Sequence, residues 1–446
     1  MKASTNGAIG FWQKSSRRRD NTRMQDTYEI VLSGQVQGVG FRPFVFNLAR
    51  KNRLKGWVCN SSHGVLIHIN SSEEEAKDFL ASVLEGAPAI SEILESSLKQ
   101  IPSETLSDFE IIASKKEDRV DIPLTPDFAI CDSCKTEIRD PDNRRFGYPF
   151  TTCTNCGPRY AVTTKFPFER AHTTVEPFQM CGVCQSEYDD PTNRRFHSQT
   201  NTCTDCGVHL KLSDAKGANL ELEQSQILRK AAELILKGSI LAIKNTNGYL
   251  LCCDSNNEEA IAELRRRKRR PTKPFALLYP SIEDIKTQFT LSQFEEAALV
   301  SSTAPIVILN PKREAKLAKS QIAPGLNRLG VMVPSSALLT LLMDEVQIPI
   351  VATSGNIHGS PIISIEAEAL ELLSGLADYF VHHNLDISFP QDDSVLCFAD
   401  DQPIVLRRSR GMAPNYLSHK HSVRTRVLAM GAHLKSSFTF LPNAQT

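Results

Sequence analysis

Apolar and polar positions follow three different textures along the chain. Residues 28–112 mix the two periods. Residues 28–36 have strand composition and run into a glycine-rich turn. Residues 42–51 then predict a helix, with Pro43 in the first turn, where its missing N–H costs nothing. Residues 57–60 and 65–70 predict two strands joined by a short loop ending at Gly64. Residues 73–85 predict a helix stopped near Gly86, and 108–112 a last strand. The order βαββαβ is the split-βαβ plan. From about residue 225 the pattern changes. Ile227, Leu228, Ala231, Leu234 and Ile235 keep helical spacing, and Gly238 suits the position just past the helix end. Residues 239–243, 275–279, 306–309, 348–352 and 427–434 predict strands. A helix over 258–268 carries Ile261 and Leu264 on its apolar face. Alternating helices and strands predict an α/β domain with a twisted sheet.

Between these stretches lies a segment with neither period but with an internal repeat at an offset of 50 residues. Cys131, Cys134, Cys153 and Cys156 recur as Cys181, Cys184, Cys203 and Cys206. Asp140-Pro141 recurs as Asp190-Pro191, and Asn143-Arg144-Arg145-Phe146 as Asn193-Arg194-Arg195-Phe196. Agreement of that kind indicates two copies of one supersecondary unit. The expected organisation is a disordered basic tail over 1–26, a ferredoxin-like domain over 27–117, a cysteine module over 118–212, an α/β domain over 222–415 and a further beginning over 425–446.

Composition narrows the classes. At roughly 100–200 residues per domain, 446 residues suggest three domains. With 51 basic and 51 acidic side chains, the chain is not patterned as a nucleic-acid binder along its length. No apolar run approaches the ~18–20 residues of a membrane span. The first 26 residues carry Arg17, Arg18, Arg19 and Arg23 without the apolar stretch of a signal peptide, so a reducing cytoplasm is expected. Eight of the twelve cysteines lie in the repeat, all in Cys-x-x-Cys pairs. Two such knuckles supply the four thiolates of tetrahedral Zn²⁺. One structural zinc per copy is the leading arrangement. Interleaved pairing and a redox-thiol module are the alternatives. His172, His197 and His209 are spare.

Two further constellations carry chemistry. Gly34-Gln35-Val36-Gln37-Gly38-Val39-Gly40-Phe41-Arg42 places glycines between a strand and a helix, which makes an anion cradle beside an arginine. Asn60, in Gly56-Trp57-Val58-Cys59-Asn60, lies on the neighbouring strand and is able to orient a water. The bland alternative is a tight turn with a surface arginine. The second is Arg265-Arg266-Arg267-Lys268-Arg269-Arg270-Pro271-Thr272-Lys273, followed after a later strand by Ala352-Thr353-Ser354-Gly355-Asn356. Cations at a helix end and small donors after a strand suit a triphosphate. A solvated helix face or an RNA patch is the alternative.

The first loop and Gly56-Trp57-Val58-Cys59-Asn60 resemble the acylphosphatase signature. The resemblance implies that Arg42 binds an acyl phosphate with Gln37, Gly38, Val39, Gly40 and Phe41, and that Asn60 positions the water. The later motifs resemble the YrdC/Sua5 family, which implies ATP binding by Lys244, Lys268, Arg270, Lys273, Ser354 and Asn356, with Arg408 and Arg410 as weaker candidates. The order of the parts resembles the HypF family of carbamoyltransferases in [NiFe]-hydrogenase maturation. That implies cleavage of carbamoyl phosphate, activation of carbamate by ATP with Mg²⁺ as carbamoyl adenylate, and transfer to the C-terminal cysteine of a HypE-type acceptor, towards a cyanide ligand. Three departures accompany it. The chain stops where the family's further transfer domain begins, so final transfer is not expected of it. Lys244-Asn245-Thr246-Asn247-Gly248 replaces a glycine-rich turn, with Asn expected to tolerate left-handed backbone. Gln391-Asp392-Asp393-Ser394-Val395-Leu396-Cys397 lacks flanking arginines, which weakens the expected adenylation site. A YrdC/Sua5-type synthase for tRNA modification, an RNA-binding zinc module and an inactive relic are the competing readings.

Overall fold

The computed structural model describes residues 26–114, 124–315, 317–357, 359–414, 425–431 and 438–441. The expected basic tail lies, but for residue 26, outside them. The N-terminal unit runs β1 (Thr27–Gln35), α1 (Phe41–Lys51), β2 (Lys55–Ser61), β3 (Gly64–Asn70), α2 (Glu73–Glu85), β4 (Glu92–Ile101) and β5 (Phe109–Ile111). The sheet order is β4-β1-β3-β2-β5. Ile30 faces Ile67 and Leu32 faces Val65 across the antiparallel β1–β3 pair. These residues pack with Val45 and Ala49 of α1 and Ala76, Phe79 and Val83 of α2. Ser72 and Glu75 cap α2 reciprocally. The strand expected last, 108–112, is an extra edge strand parallel to β2. The plan is closed instead by β4, antiparallel to β1. That strand escapes a pattern search because it is largely solvated, with Leu94, Glu95, Ser96, Ser97 and Lys99 all exposed. An edge strand with little buried face has no clean period of two.

The repeated segment builds little regular structure. In each copy the first cysteine stands immediately before a short helix, α3 (Asp132–Arg139) and α4 (Gly182–Asp189). What joins the copies is a reciprocal exchange of arginines. Arg145 is 1% exposed; it pairs with Glu187 of the second copy and donates to Thr202 O (3.0 Å) and Asn201 Oδ1 (2.9 Å). Arg195 is 3% exposed; it pairs with Glu137 of the first copy and donates to Thr152 O (3.1 Å).

The third unit is a mixed sheet with helices on both faces. Its strands are β6 (Leu210–Asp214), β7 (Leu241–Asn245), β8 (Gly248–Asp254), β9 (Ala276–Leu278), β10 (Phe289–Thr290), β11 (Ile306–Pro311), β12 (Leu329–Met332), β13 (Ile350–Ser354), β14 (Tyr379–His383), β15 (Val395–Ala399) and β16 (Gln402–Arg407). They run β16-β15-β11-β12-β9-β13-β8-β7-β14-β6, with β10 beside β11. Alternate side chains feed two cores, as a two-residue period requires. Leu241, Ile243, Leu250 and Cys252 pack towards α5 (Gln224–Leu236) and helix Ala337–Val346. Ala242, Tyr249, Leu251 and Cys253 pack towards α6 (Glu258–Lys268). Gly238 takes φ +90° just past α5, as its position predicts. Because β6 pairs with β14, residues 210–212, the end of the module expected over 118–212, also form the edge of this sheet. Val427–Met430 pairs with Phe438–Leu441 as a separate two-stranded ribbon. No helix among the described residues is long and apolar enough to cross a membrane.

Glu137→Ala or Glu187→Ala strands a buried guanidinium without its carboxylate. Each is expected to lower stability by about 3–5 kcal/mol, read as a drop in the urea midpoint at pH 7 with the zinc content held constant.

Candidate functional site

The first candidate site forms where β1 turns into α1. Gly38 (φ +72°) and Gly40 (φ +75°) take left-handed backbone, and Gly40 is the N-cap of α1. The first turn of α1 has no acidic residue, so its free N–H groups face no competing carboxylate from their own helix. Arg42, in that turn, has a side chain only 11% exposed and one ionic partner among the described residues, Glu169 at 3.5 Å. Burial pushes its pKa down and Glu169 pulls it back. Asn60 is 1% exposed, and neither its Oδ1 nor its Nδ2 has a partner among the described residues. A buried amide left wholly unpaired is costly, which marks it for a ligand or a water. Gln37 has a structural share in the loop. Its Nε2 donates to Ser61 O (2.8 Å) and Gly64 O (2.9 Å), tying the loop to the β2–β3 turn. Arg42 and Asn60 open onto one cavity of about 350 Å³ together with Gly38, Gly40 and Phe41.

The roof of that cavity comes from the cysteine module. Arg159, Phe168, His197, Ser198 and Gln199 complete the lining. Arg159 is buried and donates from Nε to Gly38 O, and from its terminal nitrogens to Cys156 O (3.0 Å) and Cys153 O (3.1 Å). One guanidinium therefore pins the phosphate-type loop to the first cysteine cluster. On the flank of α1, Asn47 donates to Pro191 O (3.0 Å) and Phe46 packs on Phe196, centroids 5.3 Å apart. Arg159, Glu169 and Ser198 carry no site expectation from the sequence, where His197 stands as spare. Their only signal was membership in strings adjoining the repeat.

The eight cysteines gather by copy. The sulfurs of Cys131, Cys134, Cys153 and Cys156 lie within 4.8 Å of one another, and so do those of Cys181, Cys184, Cys203 and Cys206. Neighbouring sulfurs are 3.5–3.7 Å apart in the first set and 3.7–3.8 Å in the second. Thiolates ~2.3 Å from a tetrahedral zinc stand ~3.8 Å from each other, so both sets fit that ion. The spacing is far beyond a disulfide bond of ~2.05 Å. His172, His197 and His209 join neither set. Again the partners cross. Arg194 Nη2 donates to Cys134 Sγ (2.9 Å) of the first set. Arg144 donates to Cys203 Sγ (3.0 Å) and Cys184 Sγ (3.4 Å) of the second. A zinc tetrathiolate carries a net charge of about −2, and each set receives a guanidinium from the other copy.

The second candidate site lies at one end of the large sheet. Lys268, the last residue of α6, reaches Ser354 O (2.7 Å), Asn356 O (3.1 Å) and Asn356 Oδ1 (3.1 Å). Arg270 stacks over Phe275 at 4.8 Å and donates to Thr353 Oγ1 (2.8 Å). Lys273 is exposed beside them, and Arg407 adds charge near both Arg270 and Lys273. Burial above all, then Arg270 and Lys273, lower the Lys268 pKa to about 7. Three other arginines of the basic run are tied up within the fold, while Arg269 is exposed. Arg265 holds the carbonyls of Arg270, Lys273 and Ile322, while Arg266 and Arg267 pair with Glu263 and Arg267 also with Asp378. A surface that reads phosphates needs free cations, so this geometry disfavours the RNA-patch reading.

Other expected residues sit differently. Lys244 is buried, with Nζ on His383 O (3.1 Å) and Leu385 O (3.0 Å). Arg410 meets Asp393 (2.7 Å), Thr303 O and Ala304 O. Arg408 is half-buried, and burial lowers its pKa. The arginines missing beside Asp393 in sequence are supplied from β16 and just beyond it. Arg407 donates to Asp393 O (2.8 Å) and Arg410 to its carboxylate. Neither Asn245 nor Asn247 takes the left-handed backbone expected of it. Asn245 donates to Asn247 (2.8 Å) and accepts from Ser336 (2.8 Å), so side-chain bonds hold the turn instead. A further cavity is walled jointly by the cysteine module and the α/β domain, with Gly157, Pro158, Thr152, Thr246, Ser336 and Arg410 among its lining.

Known proteins resemble the chain part by part. Family models match as acylphosphatase over 28–111, as HypF finger over 130–163 and 180–213, and as Sua5/YciO/YrdC, described as telomere recombination, over 233–409. A carbamoyltransferase HypF of Synechocystis is 42% identical over 414 residues, 93% of this chain and 54% of that protein. An acylphosphatase of Bacillus pumilus is 38% identical over 76 residues, 17% of this chain and 83% of that protein. A crystal structure of full-length HypF in the phosphate- and nucleotide-bound form superposes with TM-score 0.87 at 39% identity, covering 94% of this chain and 54% of that one. The chain spans about half the length of the curated HypF relatives it matches.

Purified under reducing conditions, the protein is expected to carry about two zinc ions per chain by elemental analysis. Arg194→Ala should speed chelator extraction from the first cluster, and Arg144→Ala from the second, followed as two separate phases of zinc release.

Proposed function

We propose, from the premise that the chain belongs to the HypF family, that it cleaves carbamoyl phosphate at the first site and activates the resulting carbamate with ATP at the second. One observation carries this reading most: a largely buried arginine and a buried asparagine unpaired among the described residues face one cavity on a glycine loop at a helix N-terminus. That set is complementary to a phosphoryl group and an attacking water. The phosphoryl oxygens lie against the loop N–H groups and Arg42, which neutralise the charge of the leaving phosphate. The Asn60 amide accepts from the water through Oδ1 and orients it. Water adds, the bond between the carbamoyl group and phosphate breaks, and carbamate and inorganic phosphate result.

Carbamate loses CO₂ readily in water, so a covered route favours its survival. The cavity walled by the cysteine module and the α/β domain, lined by hydroxyls and apolar groups, is the proposed cover for it. At the second site Lys268, Arg270 and Lys273 are placed to hold the triphosphate, with Thr353, Ser354 and Asn356 as neutral donors. Carbamate oxygen attacks the α-phosphorus, and pyrophosphate leaves with carbamoyl adenylate formed. Mg²⁺ accompanying the nucleotide supplies charge neutralisation for the leaving pyrophosphate. The cysteine clusters fit two structural zinc ions, which cross-link a module too short of core to hold itself. Transfer to the C-terminal cysteine of a HypE-type acceptor is the proposed use of the adenylate, in the cytoplasm.

Arg42→Ala is expected to lower phosphate release from carbamoyl phosphate by at least a hundredfold, on the scale of removing one transition-state donor, with the circular dichroism spectrum unchanged. Persistent cleavage would remove the assignment. Nucleotide binding should raise the Lys268 pKa from its low free value. Protons are then taken up on binding at pH 7–8, and affinity falls as pH rises above 7. Calorimetry in two buffers of different ionisation heat checks this, and Lys268→Met should abolish the uptake.

A further inference from the structure

Carbamoyl phosphate differs from acetyl phosphate by an NH₂ in place of a CH₃ of almost the same size. An arginine, a glycine loop and a water-holding asparagine cannot tell them apart, because all three address the phosphoryl end or the water. Discrimination requires a polar wall on the acyl side, and the first cavity has one. His197, Ser198 and Gln199, from the second cysteine copy, stand in its lining together with Arg42 and Asn60.

The three wall residues are not equally occupied. Gln199 is spent: its Nε2 donates to His197 O (2.6 Å) and Tyr188 Oη (3.1 Å), and its Oε1 accepts from Arg170 N (2.8 Å). Ser198 is 2% exposed, and its Oγ has no partner among the described residues. Its backbone is already satisfied, with N on Arg195 O (2.8 Å) and O accepting from Asn201 N (3.1 Å). The hydroxyl alone is left over. A buried hydroxyl without a partner costs stability and persists where a ligand satisfies it. His197 takes φ +54°, an uncommon backbone for a residue with a side chain. Tyr188 and Phe196 flank its ring at 4.9 and 4.6 Å, and its N–H is held by Tyr188 O (2.9 Å). No hydrogen bond among the described residues engages the ring nitrogens. Burial and Arg42 lower its pKa to about 4 against the opposing pull of Asp189 and Glu169. At neutral pH the ring thus offers one donor and one acceptor.

A carbamoyl group also offers one of each, C=O and NH₂. We infer that His197 and Ser198 form a specificity wall that hydrogen-bonds the carbamoyl amide and selects carbamoyl phosphate over other acyl phosphates. The inference rests on the reading of this cavity as the carbamoyl-phosphate site. It assigns the second cysteine copy a place in substrate recognition as well as in support. A site built to pair with a polar group rejects the analogue lacking it, because its own polar atoms are then left bare.

The test is kcat/KM for phosphate release from carbamoyl phosphate and from acetyl phosphate, on the zinc-loaded full chain. The wild-type protein should prefer carbamoyl phosphate by at least about tenfold, the worth of one well-placed hydrogen bond. Ser198→Ala should lower that ratio about tenfold, and Ser198→Thr should restore part of it. His197→Phe, which keeps the ring between Tyr188 and Phe196, should lower it as well. A ratio that holds in Ser198→Ala and His197→Phe overturns the wall, whether or not both activities fall together. A wild-type chain that cleaves both acyl phosphates equally well also overturns it, yet leaves the phosphoryl site standing. A zinc-loaded wild-type chain that cleaves neither overturns the proposed function and this inference with it.

Discussion

The crossed arginines of the cysteine module are the interaction on which the rest of the molecule leans. About eighty residues with few strands and short helices cannot bury enough apolar surface to order themselves. Two four-thiolate clusters cross-link them, and each cluster takes a guanidinium from the opposite copy. Arg145 and Arg195 repeat the exchange one residue further on, through Glu187 and Glu137. Neither copy is complete alone, which accounts for the repeat itself. An unpaired arginine or an uncompensated cluster is a buried charge, and buried charge is expensive.

The stiffness of that module has consequences on both sides. Towards the N-terminal domain it roofs the glycine loop. Arg159 joins Gly38 to the carbonyls around the first cluster, and Glu169 meets Arg42. The loop is therefore held from below by Gln37 and from above by Arg159, a preorganised cradle rather than a mobile turn. Towards the α/β domain, hydroxyl and apolar residues of the module wall a cavity shared with that domain.

The α/β domain shows how departures in sequence are absorbed in space. The segment around Asp393 has no arginine next to it, yet Arg407 and Arg410 fold back onto it from β16 and just beyond. The turn after Lys244 has asparagines for glycines, and their amides bond to each other and to Ser336. Six consecutive cations look like a surface patch when written in a line. Folded, one braces carbonyls, two meet carboxylates, Lys268 and Arg270 converge on the Thr353–Asn356 turn, and Arg269 alone stays exposed without a role in either.

Sequence alone determined whatever depends on neighbours along the chain. The glycine loop into α1, the helix over 258–268, the stop at Gly238 and the ligand-like Cys-x-x-Cys pairs are local, because φ/ψ preference, capping and periodicity act over a few residues. The split-βαβ plan was legible too, although β4 was not, since an edge strand in water has no face to alternate. Tertiary structure alone decided which elements meet. It grouped the thiolates by copy, sent each arginine to the other copy, and laid the second copy over Arg42 and Asn60. Those pairings join residues tens to more than a hundred positions apart, where charge and shape complementarity in three dimensions choose the partner and no local pattern records the choice.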